Sequence, residues 1–186
     1  MKSDLDTLMK KYGVDVILVT GSAQHNPEMI YFVGTAHVSE AMLIKKRGSA
    51  PVLFHYPMER DEAAKSGLDL VSFSKYPMTE LVKEAGGNYV EAYILRTKKM
   101  LEDLGITSGC VAIYGKDDVG PFYTMIDRLK EMLPDLKFQG FIRDEIMMQA
   151  MMTKDDNELD RIREMGRITT AVVGKTADFL TGQKTK

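Results

Sequence analysis

The sequence carries three histidines, His25, His37 and His55, with Glu28, Glu40, Glu59 and Asp61 nearby along the chain. Imidazoles and carboxylates make up a hydrolytic metal centre when several converge on one point, often with the close helical spacing His-Glu-x-x-His. Here the histidines fall in three different loops or strand ends, so only strand ends meeting at one edge of an α/β sheet could bring them together. Three surface or rim histidines is the simpler expectation. Cys110 lies in an apolar run and reads as core packing rather than as a nucleophile. Ser22, Ser39, Ser66, Ser72 and Ser74 occupy no Gly-x-Ser-x-Gly elbow. Gly21-Ser22-Ala23 follows a β-branched run, yet lacks the glycine spacing and the Lys-Ser/Thr ending of a phosphate loop.

The elements that must hold these residues are set by apolar spacing and by glycine. Leu5, Leu8, Met9 and Tyr12 have helical spacing, with Gly13 placed as a stop, and residues 14–20 read as a buried strand. Asn26-Pro27-Glu28 is a helix start, because Asn caps, Pro suits the first position and Glu favours the positive helix end. That helix must be short, since Gly34 follows. Residues 41–47 and 52–56 flank Gly48-Ser49-Ala50 as a hairpin. Helices are predicted at 59–66, 79–85, 89–104 and 121–133, and strands at 68–73, 110–114 and 136–141. Strands alternating with helices plus one hairpin predict an α/β fold, a mixed β-sheet with helices on both faces.

Two methionine-rich or apolar features remain. Met147, Met148, Met151 and Met152 surround a short helix and read as core or interface filling, with an adaptable binding surface as the alternative. From Asp155 onward Leu159, Ile162, Met165, Thr169, Val172, Val173, Ala177 and Leu180 form a helical stripe some 25 residues long. Nothing after it offers a packing surface, which implies a dimer contact or a further domain. The run Glu59-Arg60-Asp61-Glu62 reads as a solvated helix face.

Composition limits the function classes. The 186 residues are 44% hydrophobic and 28% charged, with a net charge of -2. No sequence-wide basic excess exists, and Lys45-Lys46-Arg47 and Lys98-Lys99 are too small to argue for nucleic acid. A single cysteine allows no internal disulfide, no apolar run approaches a membrane span, and the first eleven residues resemble no signal peptide. A cytoplasmic protein is expected, with neither nucleic-acid nor membrane partners.

Several segments, in the right order, resemble a known family. Residues 26–34, ending Ile30-Tyr31-Phe32-Val33-Gly34, resemble the Asn-x-x-Tyr-Leu-Thr-Gly type segment of the creatinase, prolidase and aminopeptidase P superfamily. A variable loop, the hairpin and an acidic helix from Glu59 follow, as in that family. Thr153-Lys154, Glu158-Leu159 and Ile162-Arg163 look like the Lys-x-x-x-Glu-(Ile/Leu)-x-x-Ile-Arg segment that opens its catalytic domain.

The resemblance implies that residues 1–152 are the family's amino-terminal domain, with a ribonuclease H-like α/β fold, and that 153–186 are a linker and the first helix of a catalytic domain. In the family that pita-bread domain holds the Asp, His and Glu ligands of two divalent ions, manganese, cobalt or zinc. No catalytic or metal-binding residue and no cofactor is therefore expected within this chain. A non-catalytic domain of a Xaa-Pro metallopeptidase is implied, which contributes to a homodimer and to the rim of the neighbouring active site, where short proline-containing peptides bind. The loop 35–40 would reach that rim, with His37 as a substrate contact in trans. A solvated loop histidine is the alternative. A creatinase-like metal-free hydrolase, or a peptide-binding module of the same fold, are the contrasting functions.

Overall fold

The computed structural model describes residues 4–143 and 145–183. Its strands are β1 (Val16–Gly21), β2 (Ala41–Lys46), β3 (Val52–His55), β4 (Asp69–Ser72), β5 (Gly109–Lys116) and β6 (Leu136–Gln139). They form one sheet of six strands in the order β4-β3-β2-β1-β5-β6. β2 pairs antiparallel with both β1 and β3, while β1 with β5, β3 with β4 and β5 with β6 are parallel. β2 therefore runs against the other five strands. Its start at Ala41 lies at the same edge as the carboxyl ends of the rest, the edge where open α/β sheets place their ligands.

Strand alternation sends neighbouring side chains to opposite faces. Val16 and Leu18 of β1 face the cluster under α4 (Met78–Glu84), α5 (Tyr89–Asp103) and α6 (Val119–Met132). Ile17 and Val19 face the cluster under α1 (Leu5–Lys11), α2 (Pro27–Val33), α3 (Arg60–Ala64) and α7 (Met147–Met152). Because both faces are covered, β1 reads as an unbroken apolar run rather than an alternating one. The mixed sheet with helices on both faces is thus as the sequence predicts.

Local differences have local causes. The helix expected at 59–66 opens as a single 3-10 turn at Pro57–Glu59, where the proline ring presets φ, before α3 begins. β5 runs on to Lys116, since its pairing with β1 continues through Gly21. The methionine-rich segment is split, with Met147 buried and Met148 and Met152 exposed. Lys45 is buried on β2 and pairs with Asp6 of α1 at 2.5 Å, which ties the first helix to the hairpin.

The last helix, α8 (Asp156–Gly182), spans 27 residues and starts with a reciprocal cap. Asp155 accepts from the Glu158 amide at 2.8 Å and Glu158 accepts from the Asp155 amide at 2.9 Å. Tyr31 of α2 lies near this start. Burial, aided by Glu158, Asp4 and Asp155, pushes its phenol up to about 12. Past Leu159 every described residue of α8 is exposed. Among the described residues no helix is long and apolar enough to cross a membrane.

Candidate functional site

The loop 35–40 is built from both ends. Asn26 is buried at the start of α2, where its Oδ1 accepts from the Met29 amide at 3.1 Å and its Nδ2 donates to the Thr20 carbonyl at 2.9 Å. One side chain thus caps α2 and moors it to the end of β1. Gly34 ends α2 with φ +66, a left-handed conformation that glycine adopts without a Cβ penalty. Beyond it Ala36 and Val38 are buried and His37 and Ser39 are exposed, an alternation that fixes which side of the loop faces out.

The acidic helix start holds that loop down. The His37 amide donates to Glu62 Oε1 at 2.8 Å, and the Ser39 amide donates to Glu59 Oε1 at 2.6 Å. The Lys65 ammonium and the His37 amide keep the Glu62 carboxyl below its ordinary range, against a smaller desolvation effect. On the other side the Ala23 amide donates to the Val38 carbonyl at 2.9 Å. The run Glu59 to Glu62 is therefore not merely a solvated face, and the His37 imidazole stands on a backbone fixed from two directions.

The three histidines part company. His25 and His37 line one open groove of about 540 Å³ together with Ile30, Gly34 and Thr35. His25 sits in the left-handed region at φ +56, the one non-glycine residue among those described that does so. His55 is elsewhere and is 3% exposed, which corrects the expectation of a rim position. As the last residue of β3 it faces the α1–α3 side, and its Nδ1 lies 2.8 Å from the Tyr56 carbonyl. A carbonyl only accepts, so Nδ1 carries the proton. Among the described residues no group of three or more His, Cys, Asp or Glu could hold a metal ion. The described residues do not fit a two-metal centre. What the His25–His37 groove can supply is hydrogen bonding to a carbonyl or carboxylate.

Cys110 is half-buried on β5, and burial pushes its thiol up, with Lys137 opposing and Asp15 adding. A protonated thiol is a packing group, as its sequence context implies.

Across the sheet edge lies a residue that the sequence left unremarked. Arg96 of α5 is 3% exposed, and its guanidinium lies over Phe73, Tyr93 and Tyr56 at 4.4, 4.6 and 5.8 Å from the ring centroids. Among the described residues it has no carboxylate in an ion pair. It lines a cavity of about 170 Å³ whose other polar walls are Thr20, Glu40, Asp117 and the phenols Tyr56 and Tyr93. The spacing Ala92, Arg96, Met100 puts it on the buried stripe of α5, which is the sequence signal of its burial.

No protein-family model and no curated protein matches the sequence. Solved structures do match in fold. A dipeptidase from Pyrococcus horikoshii OT3 superposes with a TM-score of 0.62 at 15% identity, over 95% of this chain and 43% of that one. A prolidase from Thermococcus sibiricus gives 0.59 at 13% identity, over 97% and 43%. An X-Pro aminopeptidase from Thermotoga maritima MSB8 gives 0.56 at 19% identity, over 86% and 38%. The chain spans less than half the length of each of these proteins. This chain therefore has a fold that these three peptidases contain within their longer chains.

Proposed function

We propose that the chain is the non-catalytic amino-terminal domain of a cytoplasmic Xaa-Pro metallopeptidase of the prolidase or aminopeptidase P type. In this reading it helps to build a homodimer and presents the loop 35–40 at the rim of the neighbouring subunit's active site, where His37 contacts short proline-containing peptides. The two manganese, cobalt or zinc ions belong to the catalytic domain, with residues outside 1–152.

The observation that carries the reading is the anchored loop. Two backbone amides, those of His37 and Ser39, are spent on Glu62 and Glu59 at 2.8 and 2.6 Å, which leaves the His37 side chain outward on a fixed support. A contact residue that must meet a ligand in one geometry needs such pre-organisation, because loop ordering then costs less on binding. The fold shared with a dipeptidase, a prolidase and an X-Pro aminopeptidase supports the choice of enzyme.

The purified chain tests the non-catalytic part. Incubated with Xaa-Pro dipeptides and added manganese, cobalt or zinc, it is expected to show no hydrolysis above the metal alone. Metal-dependent turnover that disappears in His25→Ala or His37→Ala would overturn the assignment and place the chemistry in the groove these residues share.

A further inference from the structure

We propose that the carboxyl edge of the sheet, on its α5–α6 face, binds a free α-amino acid with an apolar side chain. This inference stands on the cavity around Arg96, whichever enzyme the chain serves.

A buried guanidinium keeps its charge, since arginine does not deprotonate in proteins. Arg96 meets three aromatic faces, which offset part of its desolvation, yet no carboxylate among the described residues pairs with it. Rings cannot accept the in-plane N–H bonds that a carboxylate accepts in pairs. Beside it the Thr20 hydroxyl is buried and has no hydrogen-bond partner. Burial pushes the Tyr93 phenol up, Arg96 opposes the shift and Asp117 adds to it, so this ring presents a neutral hydroxyl. The cavity of about 170 Å³ is thus lined by one buried cation without a carboxylate partner, by Thr20 and the neutral Tyr93, and by the exposed carboxylates Glu40 and Asp117.

That distribution selects the ligand. A simple organic anion would satisfy Arg96 but face two carboxylates, and a simple amine would satisfy those but face Arg96. A zwitterion satisfies both, with its carboxylate on Arg96 and its ammonium towards Asp117 and Glu40. Arg96 is the buried charge of the set, so a ligand that leaves it without a carboxylate loses most, while the exposed Glu40 and Asp117 add the preference for an ammonium. An apolar side chain has somewhere to go as well. Asp117 and Tyr93 also wall a groove of about 640 Å³ between α5 and α6, lined by Val90, Ile94, Phe122 and Met125. A small polar cavity opening onto a larger apolar one is the arrangement expected for a small-molecule site.

The test is titration of the purified chain with three probes, followed by amide shifts at Tyr93 and Asp117: L-phenylalanine, 3-phenylpropionate, which lacks the ammonium, and phenethylamine, which lacks the carboxylate. Saturable binding of L-phenylalanine is expected, with each of the others at least about tenfold weaker. Arg96→Met should abolish binding, but Arg96 is buried and its loss can disturb the fold. Asp117→Asn alters an exposed residue and should weaken L-phenylalanine about tenfold with the melting temperature unchanged. No saturable shift up to about 10 mM, equal binding of the three probes, or an Asp117→Asn variant that binds like the wild type would each overturn the proposal.

Discussion

Helices α5 and α8 start alike and end in opposite environments. Asn88 caps α5 by accepting from the Val90 and Glu91 amides at 3.0 and 3.2 Å, and Asp155 caps α8 through its exchange with Glu158. Both carry an apolar stripe. On α5 the stripe is buried, with Ala92, Ile94, Met100 and Leu101 at 2% exposure or less. On α8 it is bare, with Ile162, Met165, Val173 and Leu180 between 53% and 64% exposed. Start signals and periodicity are local and make a helix; burial depends on what lies opposite. α8 is also intrinsically weak, because Gly166, Gly174 and the β-branched Ile168, Thr169, Thr170, Val172 and Val173 disfavour helix, each glycine by roughly 1 kcal/mol relative to alanine. At about 1.5 Å per residue it projects some 40 Å. A helix of that length and sequence gains its stability from a packing partner rather than from propensity.

The largest expected effect separates the two helices directly. Leu101→Ala removes a fully buried side chain and should cost about 2–5 kcal/mol in urea unfolding, whereas Leu180→Ala should stay within about 0.5 kcal/mol. Equal costs would erase the distinction between a packed and an unpacked stripe.

A second test asks whether another copy of the chain covers α8. Removing residues 155–186 should abolish self-association in sedimentation while leaving the urea midpoint of the remaining body unchanged. The same oligomeric state for the two chains would rule out the tail as the dimer contact.

A smaller effect belongs to the packed body. Burial works to raise the Asp6 carboxyl, but Lys45, the Gly48 amide and Arg47 outweigh it and hold it below the ordinary carboxylate range. A carboxyl lowered in the folded state stabilises above its unfolded pKa, about 3.9, and that contribution is lost as pH falls through the folded value. Asp6→Asn should therefore flatten the acid limb of the stability profile below about pH 4. The flattening should stay under about 1 kcal/mol, because Asp6 is 46% exposed and solvent screens the pair. An acid limb identical in the two proteins would remove Asp6 from the account.

What could be read in the sequence follows the same division. The hairpin, the short α2 between Asn26 and Gly34, and the long α5 ending before Gly105 at φ +64 are all written in residues adjacent to their effect. Contacts that close over long separations were not legible. Glu62 acts on His37 across 25 positions and Glu59 on Ser39 across 20, and nothing near either residue marks it as an anchor. His55 looked like a rim residue because it ends a strand, and only the pairing of β3 with Ala41 and Ser72 shows it turned inward. Arg96 was hidden by its charge, which suggests solvent although its spacing points to the core.

The claim that the loop 35–40 serves a peptidase active site meets its most direct test in the full-length protein, as kcat/KM for a Xaa-Pro dipeptide in His37→Ala, with Glu40→Ala as the control. A fall of about tenfold or more is expected for His37→Ala, a smaller change for Glu40→Ala, and an unchanged melting temperature and metal content in both. Kinetics of His37→Ala equal to the wild type would contradict it, and His37 would then be a solvated residue on a well-anchored loop.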